Sequence, residues 1–285
     1  MAGSIIKIRG IMNQLSTAER KVARFILDYP SEVSNLSIGE MAKKCGASEA
    51  TIVRFCRIVG YDGFKDFKID ITRDMAYMEL NNREDKYGDI ETSHDISDII
   101  MRTSNNNKKA IENTIDIISC DNIEKAVDVL EKANRIEFFG VGASHIIALD
   151  AFQKFARINK IANAHSDTHL QLTSAVNLTK DDVAVAISYS GETREIYDAI
   201  SVAKQARATT ISITKYGSNS ISDICDINLY VAAPEVSIRS GATSSRIAQL
   251  NIIDILFAGV ASRRFEEVQK YLERTREVTR IKKLK

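Results

Sequence analysis

Ser188-Tyr189-Ser190-Gly191-Glu192-Thr193 follows an unbroken apolar run, Val183-Ala184-Val185-Ala186-Ile187, and precedes a helical pattern over 195–206. A run of that length reads as a parallel strand buried on both faces, and the hexapeptide as the turn into the next helix. A hydroxyl-rich turn at the carboxyl end of a strand gathers free helix N–H groups, the positive end of the helix dipole and short hydroxyls. Such a turn holds a phosphate without any basic residue. It is equally what an ordinary serine or threonine cap looks like, and the six residues alone do not choose between the two.

A second stretch has the same build. Arg135-Ile136-Glu137-Phe138-Phe139 reads as a strand, and Gly140-Val141-Gly142-Ala143-Ser144 leads into a helix that runs to about Arg157. It is no dinucleotide fingerprint, because His145 stands where the third glycine belongs. Two hydroxyl-bearing turns in one sheet instead suit one phosphorylated ligand clasped between them. Further out, 136–139, 161–164, 183–188, 209–214 and 227–231 read as strands alternating with helices, the pattern of a parallel sheet covered on both faces. His165, Asp167 and His169 follow the second strand and Glu235 the fifth, where each could bond a ligand hydroxyl or serve as acid or base. A last helix is expected from 240 to about 271, then a fraying basic terminus over 275–285.

The N-terminal third is helical. Apolar residues recur at helical spacing from Ile5 to Asp28, with Ser16 and Glu19 spaced as a capping box and a stop expected near Tyr29, ahead of Pro30. A helix over 36–45, a turn at Gly46-Ala47 and a helix capped by Ser48 and ended by Gly60 have the form of a helix-turn-helix. The second helix is expected to show Ser48, Glu49, Ala50, Thr51, Arg54 and Arg57 outward, the side that enters a major groove in this motif. A purely structural helical hairpin has the same pattern. The charge over 1–77, 12 basic against 9 acidic residues, adds little. Lys65 and Lys68 are candidate phosphate contacts or plain surface lysines. The polar stretch 74–95 reads as a helix tail and flexible linker, followed by two helices over 96–118 and 123–133, the second capped by Asp121.

Composition sets the bounds. A chain of 285 residues with net charge +1 has room for about two domains and no supercharged tail. No apolar run approaches the roughly 20 residues that span a bilayer, and no signal-peptide core opens the sequence, so a cytoplasmic protein without membrane contact is expected. Cys45, Cys56, Cys120 and Cys225 are scattered without metal or disulfide spacing, so neither a metal nor a cofactor is expected.

The turns Gly140-Val141-Gly142-Ala143-Ser144 and Ser188-Tyr189-Ser190-Gly191-Glu192-Thr193 resemble those of a sugar isomerase (SIS) domain over about 134–263. Leu36-Ser37-Ile38-Gly39-Glu40-Met41-Ala42, Ser48-Glu49-Ala50-Thr51-Ile52-Val53-Arg54-Phe55 and Gly60-Tyr61-Asp62-Gly63-Phe64-Lys65-Asp66-Phe67-Lys68 resemble the DNA-binding domain of RpiR-type bacterial transcription regulators. The resemblance implies a multidomain chain: an all-α head over 1–77, connecting helices over 78–133, an α/β SIS domain of flavodoxin-like three-layer build over 134–263, and a C-terminal helix and tail over 264–285. It implies a non-enzymatic regulator on double-stranded, palindromic operator DNA, a homodimer or homotetramer controlled by a phosphosugar. Ser144 and the 188–193 loop would be its phosphosugar contacts; Gly142, Tyr189 and Glu235 complete the expected set. Arg239, Ser240, Ser244, Ser245 and Arg246 resemble the family's segment bordering the pocket. The rival readings are an aldose-ketose phosphosugar isomerase with an appended helical domain, and a scaffold that uses the sheet only for assembly.

Overall fold

The computed structural model describes residues 3–80, 95–233 and 242–280. Six helices form the N-terminal head: α1 (Gly3–Ile11), α2 (Thr17–Asp28), α3 (Pro30–Val33), α4 (Ile38–Cys45), α5 (Glu49–Ile58) and α6 (Phe64–Leu80). Their starts are written locally. Ser16 and Glu19 close a capping box on α2, and Ser37 with Glu40 repeats it on α4, two residues later than the expected start at 36. Pro30 does more than stop α2: with its φ preset and its missing N–H harmless in a first turn, it opens the one-turn α3. Gly46 supplies the left-handed C-cap of α4 at φ +60°, and Ser48 caps α5. Ile8, Val22, Ile26, Met41, Ile52, Phe55, Phe67 and Ile71 are fully buried in one core, with Phe55 and Phe67 edge to face at 6.2 Å.

Two connecting helices follow, α7 (Ile96–Ile117) and α8 (Cys120–Lys132). The cap of α8 is Ser119, whose hydroxyl accepts from the Asn122 N–H; Asp121 stands inside the first turn, where its charge suits the dipole but cannot cap. The expected 74–95 linker overlaps α6, which runs to Leu80, and otherwise lies outside the described residues.

The sheet domain contains β1 (Arg135–Phe139), α9 (Ala143–Arg157), β2 (Ile161–Asn163), α10 (Thr168–Val176), β3 (Val183–Ile187), α11 (Arg194–Gln205), β4 (Thr209–Lys215), β5 (Ile227–Val231), α12 (Thr243–Arg263) and α13 (Phe265–Arg280). All five strands are parallel, in the order β2-β1-β3-β4-β5. The central β3 is buried along its whole length: Val183, Val185 and Ile187 join the layer of α9 and α12, and Ala184 and Ala186 the layer of α11. That alternation requires helices on both faces and gives the three-layer α/β sandwich. The expected last helix breaks at Arg264 into α12 and α13, and α13 turns back to bury Val268. Thr275 to Arg280, expected to fray, is helical within α13; residues 281–285 lie outside the described residues.

Head and sheet domain touch through the loop after β4. Tyr216 packs against the head's core, and its hydroxyl donates to the Val59 carbonyl at 3.4 Å. The Gln14 amide donates to the Ser218 carbonyl. At Gly217, φ +114°, a β-carbon would stand 3.2 Å from the Gln14 amide nitrogen, 3.3 Å from the Ile11 side chain and 3.4 Å from the Gly10 carbonyl oxygen.

Candidate functional site

Where the chain leaves β1 it crosses to one face of the sheet as α9; where it leaves β3 it crosses to the other as α11. With β1 and β3 adjacent, the strand order reverses there, and the crevice between the two turns is the switch point at which doubly wound sheets hold ligands.

The first turn depends on glycine. A β-carbon on Gly140 would lie 2.7 Å from the Ser144 carbonyl oxygen, and Gly142 enters α9 at φ +56°. Ser144 is half-buried, and its N–H already donates to Val141 at 3.1 Å, leaving the hydroxyl as its free group. In the second turn Ser188 is buried, its N–H donating to Ile213 and its hydroxyl 3.0 Å from that of Thr193. Ser190 is half-buried and accepts from the Glu192 N–H at 3.3 Å. Gly191, at φ +71°, donates to the Ser188 carbonyl. The Tyr189 hydroxyl lies 3.3 Å from the Ala233 carbonyl, past the end of β5.

The two sequence readings differ in what they expect at the start of α11. Thr193 occupies the N-cap position, yet its hydroxyl is turned to Ser188 and bonds none of the helix amides. α9 likewise starts at Gly142 with no side-chain cap. α2, α4, α5, α7, α8 and α10 all carry one, whereas α3 and α12 also lack it. The two helices that open on the crevice therefore keep their N-terminal donors uncapped, the arrangement that accepts an anion.

A bracing loop lies behind the hexapeptide. The Glu192 carboxylate accepts from the Ser220 N–H at 3.1 Å and hydroxyl at 2.5 Å; those bonds hold it below the usual carboxylate range. The Gly191 carbonyl accepts from Ile221 at 3.0 Å, and Tyr189's from Lys215 at 2.8 Å. Sequence reading named neither Asn219 nor Ser220, since nothing local distinguishes them from ordinary loop residues.

The described acid-base candidates, His165, Asp167 and His169, lie on one short stretch after β2, with His169 Nδ1 3.8 Å from Asp167 Oδ1. Asp167 caps α10, His169 is 92% exposed beside it, and the His165 carbonyl accepts from Gln171. Glu235, Arg239 and Ser240 lie outside the described residues, whereas Ser244 and Ser245 are buried in the first turn of α12. Among the described residues no three His, Cys, Asp or Glu could hold a metal.

On the head, α4, Gly46-Ala47 and α5 form the helix-turn-helix. Ser48, Glu49, Ala50, Arg54 and Arg57 are exposed on α5, and Lys65 on α6. Thr51 is not: it is 8% exposed, turned inward with its hydroxyl 2.9 Å from that of Ser48, because the N3 position of a capped helix folds back under the cap. Lys68 donates to the Leu36 carbonyl at 2.8 Å, which commits it to holding the entry of α4. Arg54 Nε donates to Glu19 Oε1 at 2.7 Å. Burial pushes the Cys45 and Cys56 thiols up to about 11 and about 12, as befits packing residues.

Comparison with known proteins agrees with this division. Residues 3–78 match the helix-turn-helix domain of the rpiR family, and residues 129–259 match the SIS domain. An uncharacterized HTH-type transcriptional regulator of Caldanaerobacter subterraneus is 46% identical across 100% of this chain and 99% of its own length. A Bacillus subtilis regulator, YbbH, is 38% identical over 99% of each. The NanR protein of Vibrio vulnificus, solved in complex with ManNAc-6P, superposes with a TM-score of 0.61 at 27% identity, covering 97% of this chain and 98% of that one. No helix among the described residues is long and apolar enough to cross a membrane. The chain belongs to the RpiR family of helix-turn-helix transcriptional regulators with a SIS domain.

Proposed function

We propose that a phosphosugar bound between Ser144 and the 188–193 loop sets the affinity of this regulator for its operator. Its phosphate sits on the uncapped starts of α9 and α11, with the hydroxyls of Ser144, Ser188, Ser190 and Thr193 around it and Gly142 and Gly191 allowing the backbone to approach. Tyr189 closes the β5 side. The NanR complex with ManNAc-6P supports a phosphorylated amino sugar as the first class to try.

One observation carries control by the ligand: a single loop, following β4, braces the hexapeptide at Gly191 and Glu192 and holds the head at Gln14 and Val59. Val59 is the C-cap of α5. A ligand that shifts the hexapeptide thus pulls on the end of the helix that reads DNA. It regulates only if it binds the two placements of the head unequally, and a coupling of about 1–3 kcal/mol is the usual scale. α5 enters the major groove with Ser48, Glu49, Ala50, Arg54 and Arg57 toward the bases or backbone, and Lys65 on phosphate. A homodimer or homotetramer on a palindromic operator follows from the symmetry such heads adopt.

The test is thermal denaturation of the full chain against a panel of phosphosugars and their unphosphorylated parents, followed by operator binding with any hit. A ligand that binds the folded state alone raises its melting temperature by mass action. A rise with one phosphosugar but not its parent, together with altered operator affinity, is expected. No rise across the panel refutes the ligand site, and conversion of aldose to ketose phosphate refutes the non-enzymatic reading.

A further inference from the structure

Glu19 is a nearly buried acid on the first turn of α2, its side chain 8% exposed, and it is fully engaged. Oε2 accepts from the Ser16 N–H at 3.0 Å and hydroxyl at 2.7 Å. Oε1 accepts from Arg54 Nε at 2.7 Å, across 35 residues of sequence. The Ser16 hydrogen bonds, ahead of Arg54, hold its carboxyl below the usual value of 4.5, so it is ionised at neutral pH. Arg54 itself is 61% exposed on the outer side of α5, and among the described residues its terminal amino groups bond nothing.

We infer that Glu19 is a positioning residue for DNA readout: it clamps the inner edge of the Arg54 guanidinium and aims the outer fork at a guanine. This rests on α5 being the helix that enters the groove. A free arginine samples many rotamers and must lose that freedom when it binds. Here Nε is held by a carboxylate that a capping box has already immobilised, so the guanidinium plane is set before DNA arrives. The two amino groups left over are the pair that bonds guanine O6 and N7. The negative charge stays behind α5, buried and neutralised, where it repels phosphate little. Glu19 thereby gives one carboxylate two tasks, starting α2 and orienting a side chain on α5.

The test uses the full chain and a duplex enriched by the wild-type protein from a randomised library, with each base pair of a half-site then changed in turn. Glu19→Gln keeps the capping box, since glutamine also serves at that position, but loses the charge that grips Arg54. Arg54→Ala should abolish preference at one G·C pair per half-site, a loss of about 5- to 150-fold. Glu19→Gln should lose about tenfold of that same preference, leave affinity for a scrambled duplex within about twofold, and have no further effect in the Arg54→Ala background. Glu40→Gln, which alters the matching box of α4 with no arginine attached, should keep the preference whole. The inference is overturned if folded Glu19→Gln keeps full discrimination, if it loses operator and scrambled duplex alike, or if Arg54→Ala keeps every base preference. In those cases the reading of the chain as a regulator stands, because the wild type still selects a sequence. If the wild type enriches none, both fall.

Discussion

Gly191→Ala is expected to be far more costly than Gly142→Ala, although both glycines have positive φ. At Gly142, φ +56°, no atom lies within 4 Å of the new methyl, so only backbone strain is added, about 1–2 kcal/mol. At Gly191, φ +71°, the methyl would lie 2.0 Å from Asn219 Oδ1 and 2.1 Å from its Cγ, so Asn219 has to leave. That side chain is 5% exposed and fully used: its amide donates to Thr214 Oγ1 and to the Gly217 carbonyl, both at 3.1 Å, and its oxygen accepts from the Ser222 N–H at 2.9 Å. Stranding even one of these buried partners costs about 1–3 kcal/mol, which with the strain gives a total of about 4 kcal/mol. For a domain of this size the melting temperature falls about 2–4 °C per kcal/mol, hence by about 8–16 °C against a few degrees for Gly142→Ala. Differential scanning calorimetry of the two variants reads this directly. Adding Asn219→Ala to Gly191→Ala should cost less than the sum of the single changes, because the displaced group is already gone. The reasoning is refuted if Gly191→Ala melts no lower than Gly142→Ala, or if the two loop changes are additive.

Three further outcomes are expected. Ser190→Ala should weaken the phosphosugar found by thermal screening by about 1–3 kcal/mol in calorimetric titration while leaving operator affinity of the ligand-free protein unchanged. Asp74→Ala should destabilise the head by about 1–3 kcal/mol in urea, since this buried carboxylate on α6 accepts from the Ser4 N–H at 2.8 Å and from the Ser4 hydroxyl, completing the start of α1. Glu19 has a lowered carboxyl pKa in the folded state, so its contribution is full above the unfolded value of 4.5 and drains away as pH falls through the folded one. Urea-unfolding free energy measured from pH 6 to pH 3 should therefore drop less in Glu19→Gln than in the wild type.

What could be read without coordinates was what short-range chemistry controls. Ser16 and Glu19, and Ser48, announced their caps because a cap is satisfied by residues two or three positions away. The apolar run 183–187 announced a strand covered on both faces, and the strand alternation announced the parallel sheet. The misreadings are local as well. Thr51 sits on the outer arc of an idealised helix, but a capped first turn draws its hydroxyl in to Ser48. Asp121 looked like a cap only because the start of α8 was placed at 123, three residues after its true start at Cys120.

The amino-acid sequence by itself determined the two folding units, most of their secondary structure and the residue types at the two strand-to-helix turns and on α5, since period, caps and turns act over a few positions. Tertiary structure alone decided what those residues do to one another. It turned Thr193 toward Ser188 and left α11 uncapped, set Asn219 against Gly191, joined Gln14 to Ser218 and gave Glu19 to Arg54. These partners lie from 5 to 204 residues apart, and no local pattern carries information about contacts that exist only after the chain has packed.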